Sequence, residues 1–232
     1  MKSWTTSNGT EIIRILSGRS NVFVVRNQHF SLIADTSVRF DRRRLYRRIL
    51  HLLGPKGPDL VVLTHTHVDH AGNAAFLKGK FAMPIAVHRS EAGFLQDGFS
   101  PLPAVVKGPL KWLQRLDENR IRLFIHTEPV AADILVDDVL DLNNHGIPVM
   151  VRHMPGHTNG SMTVIIDQEL AIVGDNMVNM TWQRVFPPFC DNVPALLQSW
   201  KALLDSHCRL FLPSHGSQIT REALERAYAG IP

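Results

Sequence analysis

The chain has 232 residues, 44% of them hydrophobic and 20% charged, with a formal net charge of +4. That length suits one large domain with a substantial core or two small ones, and the composition is that of an ordinary globular protein, which excludes a disordered or low-complexity chain. Two cysteines, Cys190 and Cys208, are too few for a disulfide framework and predict a reducing, cytoplasmic setting. No apolar run approaches the roughly 20 residues of a membrane span, and the first residues lack the apolar stretch of a secretion signal.

In chain order, residues 11–16, 21–26 and 29–35 read as three short strands joined by turns, an antiparallel meander. Arg39, Arg42, Arg43, Arg44, Arg47 and Arg48 then crowd one segment. Leu45, Ile49 and Leu52 or Leu53 recur there at helical spacing, which predicts a helix over 41–53 with Asp41 as N-cap and the arginines outside. A solvated helix face is the expected use of those arginines; an anion or nucleic-acid patch is the alternative. Residues 60–63 form an apolar strand, 71–78 a helix, 84–88 a strand and 90–96 a short helix. From 97 to about 130 the pattern loosens around Pro101, Pro103, Gly108 and Pro109, which predicts either a lid or a packed surface excursion. Strands resume at 139–142, 149–153, 162–166 and 170–173, followed by a helix over 193–206, a strand at 209–212 and a last helix at 220–229. Alternating strands and helices mean an α/β protein, and two strand-rich halves with helices outside suggest a single four-layer αββα sandwich over 1–232.

Chemistry concentrates directly after the strand at 60–63, in Thr64-His65-Thr66-His67-Val68-Asp69-His70. On an extended chain His65 and His67 point to one side, and Asp69 and His70 follow where a turn can aim them at a neighbouring point. Imidazole and carboxylate are the ligands that hold zinc and similar divalent ions. Four further elements accompany the motif: a strand ending in Asp35, the loop Pro155-Gly156-His157-Thr158-Asn159-Gly160-Ser161, Gly174-Asp175 after a strand, and Ser214-His215-Gly216.

Together these resemble the signature of the metallo-β-lactamase-fold superfamily, and the chain is most similar in type to its short, single-domain glyoxalase II-like members. The resemblance implies the αββα sandwich and two divalent metal ions, with zinc expected and manganese or iron(II) as alternatives. It implies that His65, His67 and His157 hold the first ion, that Asp69, His70 and His215 hold the second, and that Asp175 bridges them. It also implies that Asp35 organises the backbone of the metal loop. Thr158 and Ser161 then stand beside His157, either as supporting hydrogen-bond partners or as caps of a tight loop. His88 and His153 are expected to be supporting or satisfied core groups rather than ligands. Two dications against two carboxylates and one hydroxide leave a net positive charge, suited to an anionic tetrahedral intermediate. The expected activity is metal-dependent hydrolysis, a bridging hydroxide attacking a thioester, ester or lactone while Asp69 holds or shuttles the proton.

Departures from the family's branches narrow this. Asp175 argues against antibiotic hydrolysis, and Asn176-Met177-Val178 lacks the tyrosine of the lactonases. The glycine-rich arginine segment of the glutathione-dependent enzymes is replaced by 179–184, with Arg184 standing in for the arginine. Met180, Trp182, Arg184, Phe186 and Phe189, with Phe99, Leu102 and Trp112 opposite, are expected to make an apolar pocket for a small acyl substrate. Two rival readings stand beside it. One is a mononuclear iron persulfide (sulfur) dioxygenase using His65, His157 and Asp175; the other is a phosphodiesterase or nuclease using the arginine-rich helix. The expected partner is a small molecule, with no membrane and no nucleic acid; assembly is open, a homodimer included.

Overall fold

The structure, a computed structural model, describes residues 1–106, 125–181 and 184–231. Two seven-stranded sheets form its centre. The first runs in chain order: β1 (Lys2–Thr5), β2 (Glu11–Leu16), β3 (Val22–Arg26), β4 (Ser31–Ala34), β5 (Leu60–Val62), β6 (Ile85–His88) and β7 (Ile134–Val136). Pairing is antiparallel through β4 and parallel from β4 to β7. The second sheet contains β8 (Val139–Asp141), β9 (Val149–His153), β10 (Met162–Ile166), β11 (Leu170–Asn179), β12 (Arg184–Val185), β13 (Leu210–Gly216) and β14 (Ile219–Thr220). Its order is β14-β13-β11-β10-β9-β8, with β12 pairing on β11.

Alternation along the strands explains the layering. Phe23 and Val25 of β3, and Leu60 and Val62 of β5, face the second sheet, where they meet Val149, Val151, Val164 and Ile172. Their neighbours Val22, Val24 and Val61 face outward onto α1 (Arg42–Leu53) and α3 (Ala74–Phe81), through Leu45, Ile49 and Leu77. The outer face of the second sheet is covered by α5 (Val193–Asp205) and α6 (Arg221–Ala229), through Leu196, Trp200, Leu203 and Leu224. Two short helices, α2 (Val68–Ala71) and α4 (Ala92–Asp97), complete the set among the described residues. A strand buried on both faces reads as an unbroken apolar run, which is why β3, β5 and β10 stand out in the sequence. The four-layer αββα expectation therefore holds. Among the described residues no helix is long and apolar enough to cross a membrane.

Several boundaries differ from the sequence reading. β1, β7, β12 and β14 had no predicted counterpart; each has four residues or fewer, too few to show an alternating pattern. β11 continues six residues past the predicted end, because register shifts at Gly174 break its periodicity without breaking its pairing with β13. Asp41 precedes α1 as expected, but its side chain makes no cap bond and accepts from Ser37 Oγ (3.1 Å) instead. Within the segment read as a lid or a packed excursion, Val105 bridges to Phe189, whereas residues 107–124, Trp112 among them, lie outside the described residues.

Candidate metal centre

The dense motif leaves β5 at the end of the first sheet. Parallel pairing of Ala34 with Val62 sets Asp35 beside Thr64. Buried Asp35 accepts from the Thr64 amide (2.8 Å), the Thr64 hydroxyl (2.9 Å), His70 Nδ1 (2.8 Å) and, from the other sheet, Ser214 Oγ (3.1 Å). A second buried carboxylate does similar work two residues on. Glu91 accepts from the Thr66 amide (3.0 Å) and from the Thr66 hydroxyl, which pins the residue between His65 and His67. The sequence carried no signal for Glu91 beyond a lone acid after a buried strand.

The second sheet contributes three residues, one from a turn and two from strands. His157 sits in a turn whose Gly156 has φ +150°, where a Cβ would come 2.5 Å from Leu196 Cα of α5. His157 N donates to Asn176 Oδ1 (3.1 Å), and Trp200 Nε1 donates to the Asn176 carbonyl (2.8 Å), so helix α5 buttresses the turn through one asparagine. Asp175 stands mid-strand in β11. His215 lies in β13, next to Gly216, whose φ of +92° and 1.9 Å approach of a Cβ to the Asn179 carbonyl oxygen leave room only for glycine.

Outer hydrogen bonds assign the imidazole tautomers. His67 Nε2 donates to the Pro101 carbonyl (3.0 Å) and His157 Nδ1 to the Phe189 carbonyl (2.9 Å). His67 Nδ1 and His157 Nε2 are left as lone-pair nitrogens facing each other at 3.1 Å. His70 Nδ1 is held by Asp35, and His65 Nδ1 lies 3.2 Å from the Thr64 hydroxyl. The remaining nitrogens, His65 Nε2 and His70 Nε2, are buried without a hydrogen-bond partner, and so is Asp175 Oδ1. His215 Nε2 lies 3.1 Å from Asp69 Oδ2 and 3.3 Å from Asp175 Oδ2. Three overlapping groups result, His65/His67/His157, His65/His70/Asp175 and Asp69/His70/His215, with the ligand atoms of each within 4.8 Å of one another. Converging lone pairs and orphaned buried atoms in a nitrogen and oxygen donor set fit divalent cations.

A family profile described as the metallo-beta-lactamase superfamily matches residues 17–215. The chain belongs to this superfamily. Among curated relatives, an uncharacterised Mycobacterium leprae protein is 30% identical over 73% of this chain and 74% of its own. The acyl-coenzyme A thioesterase MBLAC2 of Gallus gallus is 31% identical over 62% of this chain and 52% of its own. The hydroxyacylglutathione hydrolase of Aeromonas hydrophila is 25% identical over 91% of this chain and 66% of its own. The chain thus spans between about half and three quarters of the length of these relatives. A Cronobacter sakazakii metallo-β-lactamase structure superposes with a TM-score of 0.69 at 16% identity, covering 99% of this chain and 90% of that one, which speaks for the fold alone. The enzyme class expected from the sequence, a metal-dependent hydrolase, is the one the family and these relatives support.

Electrostatics split this superfamily member's cluster in two. Burial, reinforced by neighbouring imidazoles, pushes His67 down to about 3 and His65 well below its ordinary range. On the other side burial works against the charges, yet the carboxylates win. His215 is pushed up to about 10 by Asp175 and Asp69, and His70 well above its usual value by Asp69, Asp175 and Asp35. Asp69 is held at about 2 despite its burial, by the His70 charge and the His215 hydrogen bond; Asp175 is lowered by the same pair. Without metal, protons on His70 and His215 therefore offset the two acids.

A cavity of about 320 Å³ opens over the cluster, with His67, Asp69, His157, Asp175 and His215 at its floor and Leu102, Pro103, Ile125, Val178, Met180, Pro187, Pro188 and Phe189 in its walls. Of the residues expected at the pocket, Met180, Phe189 and Leu102 line this cavity. Three other residues expected there lie elsewhere. Phe186 turns into the outer core, its ring 5.8 Å from that of Trp200, and Arg184 is exposed on the short strand β12; neither lines the cavity, nor does Phe99. The reason is local: pairing of β12 with β11 alternates the faces of that loop, which composition alone does not reveal. Trp182 and Trp112 lie outside the described residues. Thr158 and Ser161 bond to each other (3.0 Å), the geometry of a tight-loop cap. His88 and His153 stack at 3.9 Å, with Nε2 atoms against the Asp137 and Asn159 carbonyls, outside the cluster.

Proposed function

We propose that the chain is a di-metal, zinc-dependent hydrolase of small acyl compounds, with thioesters as the first substrate class and esters and lactones behind them. The observation that carries this reading is the coincidence of a complete inward-facing donor set with an apolar cavity set directly on it. His65, His67 and His157 would hold one ion, Asp69, His70 and His215 the other, and Asp175 would face both. When bound, such ions polarise a carbonyl and lower the pKa of water from 15.7 toward about 7, so that hydroxide is on hand at neutral pH.

The chain's own residues supply the rest. The proline-rich wall at Pro187 and Pro188, with Phe189 and Leu102, seats an acyl chain and keeps bulk water out. Asp69 borders the cavity and stays ionised, positioned to take a proton from the attacking water and pass it to the leaving sulfur or oxygen. The Pro101 and Phe189 carbonyls, both on cavity-lining segments, hold His67 and His157 in the required tautomers, which couples the wall to the centre. The two relatives with thioester-cleaving names support thioesters as the first class, and the apolar walls speak against a polyanion in the cavity itself. Metal analysis followed by a panel of thioesters, lactones and phosphodiesters tests this. Two zinc per chain with thioester turnover is the expected result. About one iron per chain, with oxygen uptake on a persulfide, would overturn it.

A further inference from the structure

The loop between β2 and β3 has a place in the site that the metal chemistry does not use. Ser20 Oγ donates to the Asp69 carbonyl (2.6 Å), and Asn21 donates through N to the Ser214 carbonyl (2.7 Å) and through Nδ2 to the Gly216 carbonyl (3.0 Å). The loop therefore lies on the Asp69/His215 side of the cluster, between two of its ligand-bearing turns. Its tip, Ser17-Gly18-Arg19, is exposed. The Arg19 guanidinium lies 5.3 Å from the Phe40 ring centroid, and Phe40 is 89% exposed, the most exposed large apolar side chain described. Arg39 and Arg42, on either side of Phe40, pair with Glu128 at 3.5 and 2.9 Å, which ties this segment to the stretch whose Ile125 lines the cavity. Arg39 and Arg42 have Glu128; Arg19 has no carboxylate partner among the described residues.

The exposed Phe40 ring and the guanidinium beside it make a solvent-facing patch open to a ligand. Its chemistry suits a flat aromatic group carrying phosphate: the ring offers a stacking face, and the guanidinium a planar fork for phosphate oxygens. We propose that Arg19 and Phe40 form a subsite for the carrier half of the substrate, a phosphorylated adenine nucleotide attached through the thiol of the thioester. The apolar cavity then takes the acyl half. The two halves meet at the metal cluster, with the carrier leaving on the Asp69/His215 side. This rests on the thioester reading above and adds the class of thiol to it. A nucleic acid would instead need phosphate contacts repeated along a strand, with a steep salt dependence.

The test compares one acyl group on two thiols, butyryl-coenzyme A and butyryl-N-acetylcysteamine, the second lacking the nucleotide. For the metal-loaded wild-type protein, the ratio of kcat/KM for the first over the second should be well above one. The double variant Arg19→Ala/Phe40→Ala should lower that ratio about tenfold or more, the scale of one charge-assisted contact with stacking. Calorimetry with adenosine 3′,5′-bisphosphate should show binding to the wild type and at least tenfold weaker binding to Arg19→Ala. An unchanged ratio, or equal falls on both thioesters, overturns the subsite while leaving the hydrolase reading intact. If wild type turns over neither thioester, that reading falls, and the calorimetry still decides the subsite. Preferential, strongly salt-dependent binding of duplex DNA over the bisphosphate would also overturn it.

Discussion

The two halves of the metal cluster are built by opposite means. The first sheet delivers His65, His67, Asp69 and His70 from one segment, a loop running into α2, and buried carboxylates hold it: Asp35 grips Thr64 and His70, and Glu91 grips Thr66. The second sheet delivers His157, Asp175 and His215 singly, and backbone shape holds them: Gly156 against α5, Gly216 against Asn179, and Asn176 under the His157 amide. A crowded loop has several side chains to aim at once and needs acceptors behind it. An isolated ligand needs only its turn to be fixed. The first half should therefore fail through lost acceptors, the second through lost glycines.

The largest effect should come from the residue that serves both geometry and proton transfer. Asp69→Ala is expected to lower hydrolysis by about 10²- to 10⁴-fold, the range of a positioned acid–base group, while the metal-free protein keeps its circular dichroism spectrum. Retained activity would break the mechanism. Next, Glu91→Ala leaves the buried Thr66 amide without its acceptor. It should weaken metal binding about 10- to 100-fold, read by competition with a chromophoric chelator. Glu91→Gln, whose amide oxygen can take both Thr66 bonds, should recover most of that loss, and equal damage from the two variants would mean the carboxylate acts otherwise. In the second half Gly216→Ala forces a side chain into the left-handed region against a backbone oxygen. A loss of about 1–3 kcal/mol in denaturant unfolding of the metal-free protein is expected, together with a fall in bound metal. If that variant were as stable as wild type, shape would not be what holds His215.

The same contrast decides what could be read from the chain alone. Strands buried on both faces, such as Val61-Val62 and Val164-Ile165-Ile166, announce themselves as apolar runs, and the crowded loop announces itself by residue type and spacing. The supports do not. Glu91, Asn176 and Asn21 act through hydrogen bonds to residues distant in sequence, and nothing in a local pattern records them. Loop facing was equally hidden: Phe186 and Phe189 look alike in sequence, yet one packs on Trp200 and the other lines the cavity. Short edge strands left no pattern because few of their side chains are buried.

The smallest predicted effect concerns pH and separates the halves most directly. In the metal-free protein His67 stays neutral down to about 3, and His65 is lowered likewise, against an ordinary value of 6.5. Between those limits the unfolded chain binds protons that the folded chain refuses, so these two imidazoles make stability rise with pH up to about 6.5. His215 and His70 behave in the opposite sense. Their raised values make a contribution that is complete below 6.5 and lost as pH climbs through about 10 for His215. The lowered Asp69 adds stability above its ordinary 3.8 that is lost only as pH falls through about 2, outside the useful window. The thermal midpoint of the chelator-treated protein should thus pass through a maximum near pH 6.5. Metal loading should move that maximum upward, because bound metal displaces the protons on His70 and His215. A midpoint that keeps rising from pH 6.5 to 9 without metal would mean that the His215 side carries no such protons, and that the two halves are electrostatically alike.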